Sequence, residues 1–168
     1  GYAGDRVTAW RNPELDPGDT GYQILQSLYA IGSGGVFGLG FGKSRQKYLY
    51  LPFQYNDYIF AIVCEELGLV GACGIILLYI LLLLRGYWIA RRAENRFSTV
   101  LAAGLVTLIA VQTILNLCVV TNLLPSTGIA LPFFSYGGTA LAVNLGEMGI
   151  VLNISRSGNN RTIRRKDY

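Results

Sequence analysis

From Leu67 to Leu84 the chain carries no charged side chain. Two further stretches resemble it. Ser98 to Thr121 is uncharged, and Ser135 to Ile154 contains one charge, Glu147. A helix needs roughly 20 apolar residues to cross a bilayer core. The pattern predicts three spans: 58–84, 98–121 and 135–154, the third rich in Gly and Asn. The chain is 52% hydrophobic and 14% charged, against about a quarter charged in an ordinary soluble domain. The expected fold is an all-α integral membrane protein.

Charge sets the expected orientation. The turn 85–97 holds Arg85, Arg91, Arg92 and Arg96 against Glu94, and the tail 156–168 holds Arg156, Arg161, Arg164, Arg165 and Lys166 against Asp167. The turn 122–134 is uncharged. Both basic segments are expected on the cytoplasmic side. Residues 1–57 and 122–134 are expected outside. The net charge of +4 comes from the cytoplasmic side and fits anionic membrane lipids, not nucleic acid. The chain has no histidine, which excludes imidazole acid–base chemistry and imidazole metal ligands. Cys64, Cys73 and Cys118 lie in apolar runs without ligand spacing and read as small core residues.

The outer segment has its own pattern. Thr20 and Gln23 fit a capping box, and Ile24, Leu25, Leu28 and Ile31 follow at helical spacing. An amphipathic helix over about 20–32 is expected, on or dipping into the outer interface and ended by Gly32-Ser-Gly-Gly35. Next come Gly38, Gly40 and Gly42, then Lys43, Arg45 and Lys47.

Carboxylates mark the start of the first span. Asp57 precedes it, and Glu65 and Glu66 lie about two turns deeper. Glu65 returns to within about 80° of the face of Asp57. A carboxylate at a membrane helix is a functional candidate. The alternative for Asp57 is a helix cap. The alternative for the glutamates is an interhelix hydrogen bond. Lys43, Arg45 and Lys47 suit an anionic lipid headgroup, as substrate or as anchor. Gly68, Gly71 and Gly74 read as a seam for close helix packing. Gln112 and Asn116 share a face and read as structural polar contacts. The uncharged turn, with its prolines and glycines, suits a re-entrant loop walling a cavity. There Ser135, Tyr136 and the Gly137–Gly138 backbone are candidate donors.

These residues together resemble the SEDS family (shape, elongation, division and sporulation) of bacterial membrane proteins. The resemblance covers about residues 6–155. It rests on Asn12-Pro13…Asp16-Pro17, Gly21-Tyr22-Gln23…Gln26-Ser27-Leu28, Ala30-Ile31-Gly32-Ser33-Gly34-Gly35, Lys43-Ser44-Arg45-Gln46-Lys47 and Tyr50-Leu51-Pro52. It continues through Asn56-Asp57-Tyr58-Ile59-Phe60-Ala61, Glu65-Glu66-Leu67-Gly68 and Leu131-Pro132-Phe133-Phe134-Ser135-Tyr136-Gly137-Gly138. The Lys-Ser-Arg-Gln-Lys and Leu-Pro-Phe-Phe-Ser-Tyr-Gly-Gly forms are closer to the division and sporulation branch than to the rod-shape branch.

The resemblance implies a peptidoglycan glycosyltransferase that polymerises lipid II, an undecaprenyl-pyrophosphoryl disaccharide-peptide, at the cytoplasmic membrane. It makes Asp57 the catalytic residue, as general base or as ligand to a divalent cation (Mg or Mn). Lys43, Arg45, Gln46, Lys47, Glu65, Ser135, Gly137 and Gly138 become substrate-binding candidates. A class B penicillin-binding transpeptidase and other divisome proteins are the implied partners. Rival readings are a lipid II flippase and a non-catalytic scaffold. The family has about ten spans, so this chain is expected to be its last large outer loop and the spans that follow. The family usually has Leu-Pro-Glu before the aspartate, and here Leu51-Pro52-Phe53 stands instead.

Overall fold

The computed structural model describes residues 2–13, 20–40, 42, 57–135 and 137–164. All regular structure among these is helical: α1 (Tyr2–Arg11), α2 (Thr20–Gly34), α3 (Ile59–Arg91), α4 (Arg96–Val120) and α5 (Gly138–Arg164). Two of them, α3 and α4, are long and apolar enough to cross a membrane.

The boundaries differ from the expected spans for physical reasons. α3 runs on to Arg91 although Gly86 is a poor helix former, because Gly86 and Tyr87 pack against α4. Arg85 and Arg92 lie over the Trp88 ring, 4.1 and 3.8 Å from its centroid, a cation–π cluster suited to a membrane boundary. The connection to α4 thus shrinks to 92–95. α5 continues to Arg164, because helix formation does not stop where apolarity does. α1 was not expected, since its polar sequence carries little amphipathic signal. α2 runs from Thr20 to Gly34, with Gly35 at φ +55° in the left-handed conformation that ends helices.

α3 is not one rod. Gly68 sits inside it at φ +66°, ψ −165°. Around this break, backbone partners are exchanged with the chain that follows α2. Leu69 N–H donates to the Gly35 carbonyl at 3.0 Å and Val70 N–H to Val36 at 3.2 Å. In return Leu39 N–H donates to the Glu65 carbonyl at 2.9 Å and Gly40 N–H to Glu66 at 3.1 Å. Each would otherwise pair four residues back in its own chain. The exchange satisfies backbone that apolar surroundings would leave orphaned.

The two parts of α3 are not collinear. Gly86 packs against Val106, where an added Cβ would stand 2.6 Å from Cγ2. Tyr87 Oη lies 2.9 Å from Thr107 Oγ1. These contacts set the antiparallel register of α3 and α4. Val106 to Asn116 is a climb of about 15 Å along α4, which brings Asn116 level with about Ile76 on α3. A straight α3 would carry Asp57 roughly 28 Å past that level. Yet Asn116 Nδ2 donates to the Asp57 carbonyl at 2.8 Å. Residues 59–67 therefore fold back beside 69–91. Their burial agrees: Phe60, Ala61, Ile62, Cys64, Glu65 and Glu66 are all buried, as expected of a helix enclosed by protein.

Among the described residues the expected glycine seam is not formed. A Cβ at Gly68 would meet Gly38 N at 2.3 Å, whereas one at Gly74 would meet nothing within 4 Å and one at Gly71 would meet the Leu67 side chain of the same helix. The close helix approaches are at Gly34 of α2, where a Cβ would stand 2.0 Å from the Cys64 carbonyl oxygen, and at Gly86.

Candidate functional site

Asp57 lies at the start of the folded-back part of α3, level with the last turns of α4. It is half-buried. The N-cap of α3 is Tyr58, and among the described residues no side chain caps that end. The capping role considered for Asp57 is not used.

Asp57 is held through its backbone. Asn116 is 1% exposed, and its Nδ2 donates to the Asp57 and Ile129 carbonyls at 2.8 Å each. The turn 121–137 lies against the carboxylate: a Cβ on Gly128 would be 3.7 Å from Asp57 Oδ2. That turn is fastened to α1, since Arg6 Nη1 donates to the Ser126 carbonyl at 2.9 Å and Trp10 Nε1 to the Asn122 carbonyl at 3.0 Å. On its inner side Tyr79 Oη donates to the Pro132 carbonyl. Ser27 of α2 reaches the Val120 carbonyl at 3.3 Å.

Two influences act on the Asp57 carboxyl. Burial pushes its pKa above the usual carboxylate value, and the Arg6 guanidinium pulls it part of the way back. Desolvation disfavours the charged form, and a nearby cation favours it. The result is a carboxylate more basic than a surface aspartate, beside a fixed positive charge.

The other expected site residues divide into three groups. Lys43, Arg45, Gln46 and Lys47 lie outside the described residues, as do Phe53 and Tyr136. Glu65 is 1% exposed, inside the fold. Ser135 is buried in a local turn: its N–H donates to the Leu131 carbonyl at 3.1 Å, and Gly137 N–H donates to the Ser135 carbonyl at 2.9 Å. The Gly137 donor considered for substrate is thus engaged within the turn, and Gly138 opens α5. The turn residue beside the Asp57 carboxylate is Gly128.

Arg6, Asn116 and Gly128 were not among the expected site residues. Arg6 is distant in sequence and lies in a helix with weak periodicity. Asn116 was read as a structural contact, and its bonds are to backbone. Its proximity to Asp57 depends on the fold-back at Gly68. An open cleft of about 400 Å³ is lined by Gln112, Ile129, Ala130, Thr139, Ala140, Val143 and Asn144.

A profile for the cell cycle proteins FtsW, RodA and SpoVE matches residues 1–160. The chain is 50% identical over 155 residues to stage V sporulation protein E of Bacillus subtilis, covering 92% of this chain and 42% of that protein. It is 48% identical over 154 residues to the probable peptidoglycan glycosyltransferase FtsW of Geobacter sulfurreducens, covering 92% and 41%. Among solved structures it is similar to a chain of a peptidoglycan synthase complex that coordinates polymerization and crosslinking, with TM-score 0.74, 30% identity, and coverage of 92% of this chain and 41% of that one. The chain thus spans about two fifths of the length of the relatives it matches. It belongs to the FtsW/RodA/SpoVE family of cell cycle proteins.

Proposed function

We propose that the complete protein containing this chain is a peptidoglycan glycosyltransferase, and that this chain supplies its catalytic carboxylate. The observation that carries the reading is Asp57: uncapped, half-buried, fixed through its backbone and close to a guanidinium. A sugar hydroxyl is a poor nucleophile and needs a base positioned to take its proton. In the proposed step a hydroxyl of one lipid II unit attacks the anomeric carbon of another. Asp57 takes the hydroxyl proton. The new glycosidic C–O bond forms as the anomeric C–O bond to pyrophosphate breaks, and undecaprenyl pyrophosphate leaves with the bonding pair. Arg6 offsets the developing negative charge, and Lys43, Arg45, Gln46 and Lys47 are proposed to hold the phosphates. The relatives' names and the likeness to a synthase complex support this reading.

A divalent cation is compatible with the site. Among the described residues no group of three metal-ligating side chains gathers. Magnesium commonly accepts one carboxylate with substrate phosphates supplying other ligands, and Asp57 is the residue that would hold it. Its chemistry there would be neutralisation of the pyrophosphate. Glycan synthesis by the complete protein is predicted to stop in excess chelator and return with added magnesium or manganese. Undiminished synthesis would reject the metal.

In the proposed membrane arrangement α5 is the third span, 92–95 and the end of α5 are cytoplasmic, and Asp57 faces the outer side. This places the site where a class B penicillin-binding transpeptidase and other divisome proteins can receive the product. The test is the complete protein in liposomes with purified lipid II. Glycan strands support polymerisation. Lipid movement across the bilayer without polymer supports a flippase instead, and neither activity supports a scaffold.

A further inference from the structure

We propose that Asn116 is a positioning residue that sets the Asp57 carboxylate against the 121–137 turn; this rests on the catalytic reading of Asp57. The two carbonyls Asn116 holds belong to the two irregular segments that border the site. One is the junction leading into α3, and the other is the turn. Neither has a ladder of its own to fix it against the other. α4, which carries Asn116, is regular throughout and provides the rigid support. The carboxamide is 1% exposed, and among the described residues its buried Oδ1 has no hydrogen-bond partner.

The residue type follows from this. Two N–H donors on one nitrogen reach two carbonyls, whereas an ionised aspartate offers none, a serine one and a leucine none. Glutamine keeps both donors but moves them by a methylene. The held turn brings Gly128 to the carboxylate and includes Ser126, the acceptor for Arg6. The turn keeps its bonds to Arg6 and Trp10 of α1, so releasing Asn116 would free the base to shift relative to the turn and the guanidinium together. A displacement of about 1 Å in a catalytic group costs on the order of 100-fold in rate.

The test is steady-state glycan synthesis by the complete protein with purified lipid II, using Asn116→Leu, Asn116→Gln and Asp57→Ala, with thermal unfolding of each in detergent. Asn116→Leu should keep a cooperative unfolding transition at a lowered midpoint, lose about 100-fold in kcat and hold KM within about threefold. Asn116→Gln should lose about tenfold in kcat. A folded Asn116→Leu protein with parental kcat overturns the inference. If Asn116→Leu does not fold, Asn116→Gln decides: lowered kcat at parental KM and parental unfolding supports the inference, and parental kcat overturns it. Parental synthesis by Asp57→Ala would overturn the catalytic reading itself. An inactive Asp57→Ala beside a fully active, folded Asn116→Leu would overturn the positioning role alone.

Discussion

A carboxylate serves as a base only if it is basic enough and still ionised when needed. Burial raises the Asp57 pKa and Arg6 lowers it, so the two set that balance together. The base works in its ionised form, so the rate should fall as pH drops through a pKa above the usual carboxylate value. Removing the cation raises the pKa further. Arg6→Gln is therefore predicted to move the acid limb of the kcat profile to higher pH, which a pH–rate series would measure. An unmoved limb would mean that Arg6 does not act on Asp57. At this scale the sequence was partly legible. Asp57 stood out because a carboxylate beside an apolar run is costly. Arg6 did not, because nothing in local spacing links it to a residue so far along the chain.

Among the elements, the break in α3 decides where the base sits. The crossing needs residues without a Cβ: one at Gly38 would stand 2.1 Å from the Glu66 carbonyl oxygen and one at Gly68 2.3 Å from Gly38 N, both at positive φ. Gly38→Ala and Gly68→Ala are each predicted to cost more than about 3 kcal/mol. Gly35→Ala, at φ +55° with nothing within 4 Å, should cost about 1 kcal/mol. Gly74→Ala, in open space within a regular helix, should be neutral or stabilising by up to about 1 kcal/mol. Unfolding midpoints in detergent would rank them, and a Gly74 effect as large as that of Gly68 would restore the seam in place of the crossing. The glycines were visible in the sequence, but their partner was not. Three-residue glycine spacing fits a helix seam as well as a break, and only long-range backbone pairing distinguishes the two.

For the whole molecule, apolar runs identified α3 and α4 because span length follows from bilayer thickness. The part of the first run before Gly68 belongs instead to the folded-back segment, which is buried by protein. Exposed Leu77, Leu78, Leu81 and Leu84 on α3 need an apolar environment, as lipid or the rest of the complete protein would supply. The proposed orientation can be read with single cysteines after replacing Cys64, Cys73 and Cys118. Phe97→Cys, at an exposed position, should react with a membrane-impermeant maleimide from the cytoplasmic side, and Leu123→Cys, also exposed, from the outside. The reverse labelling would invert the arrangement. The account as a whole rests on Asp57. Its most direct test is glycan synthesis by the purified complete protein carrying Asp57→Ala, with folding checked by its unfolding transition. The prediction is a loss of at least about 100-fold in kcat with the transition preserved; a folded Asp57→Ala protein that makes glycan strands at the parental rate would contradict it.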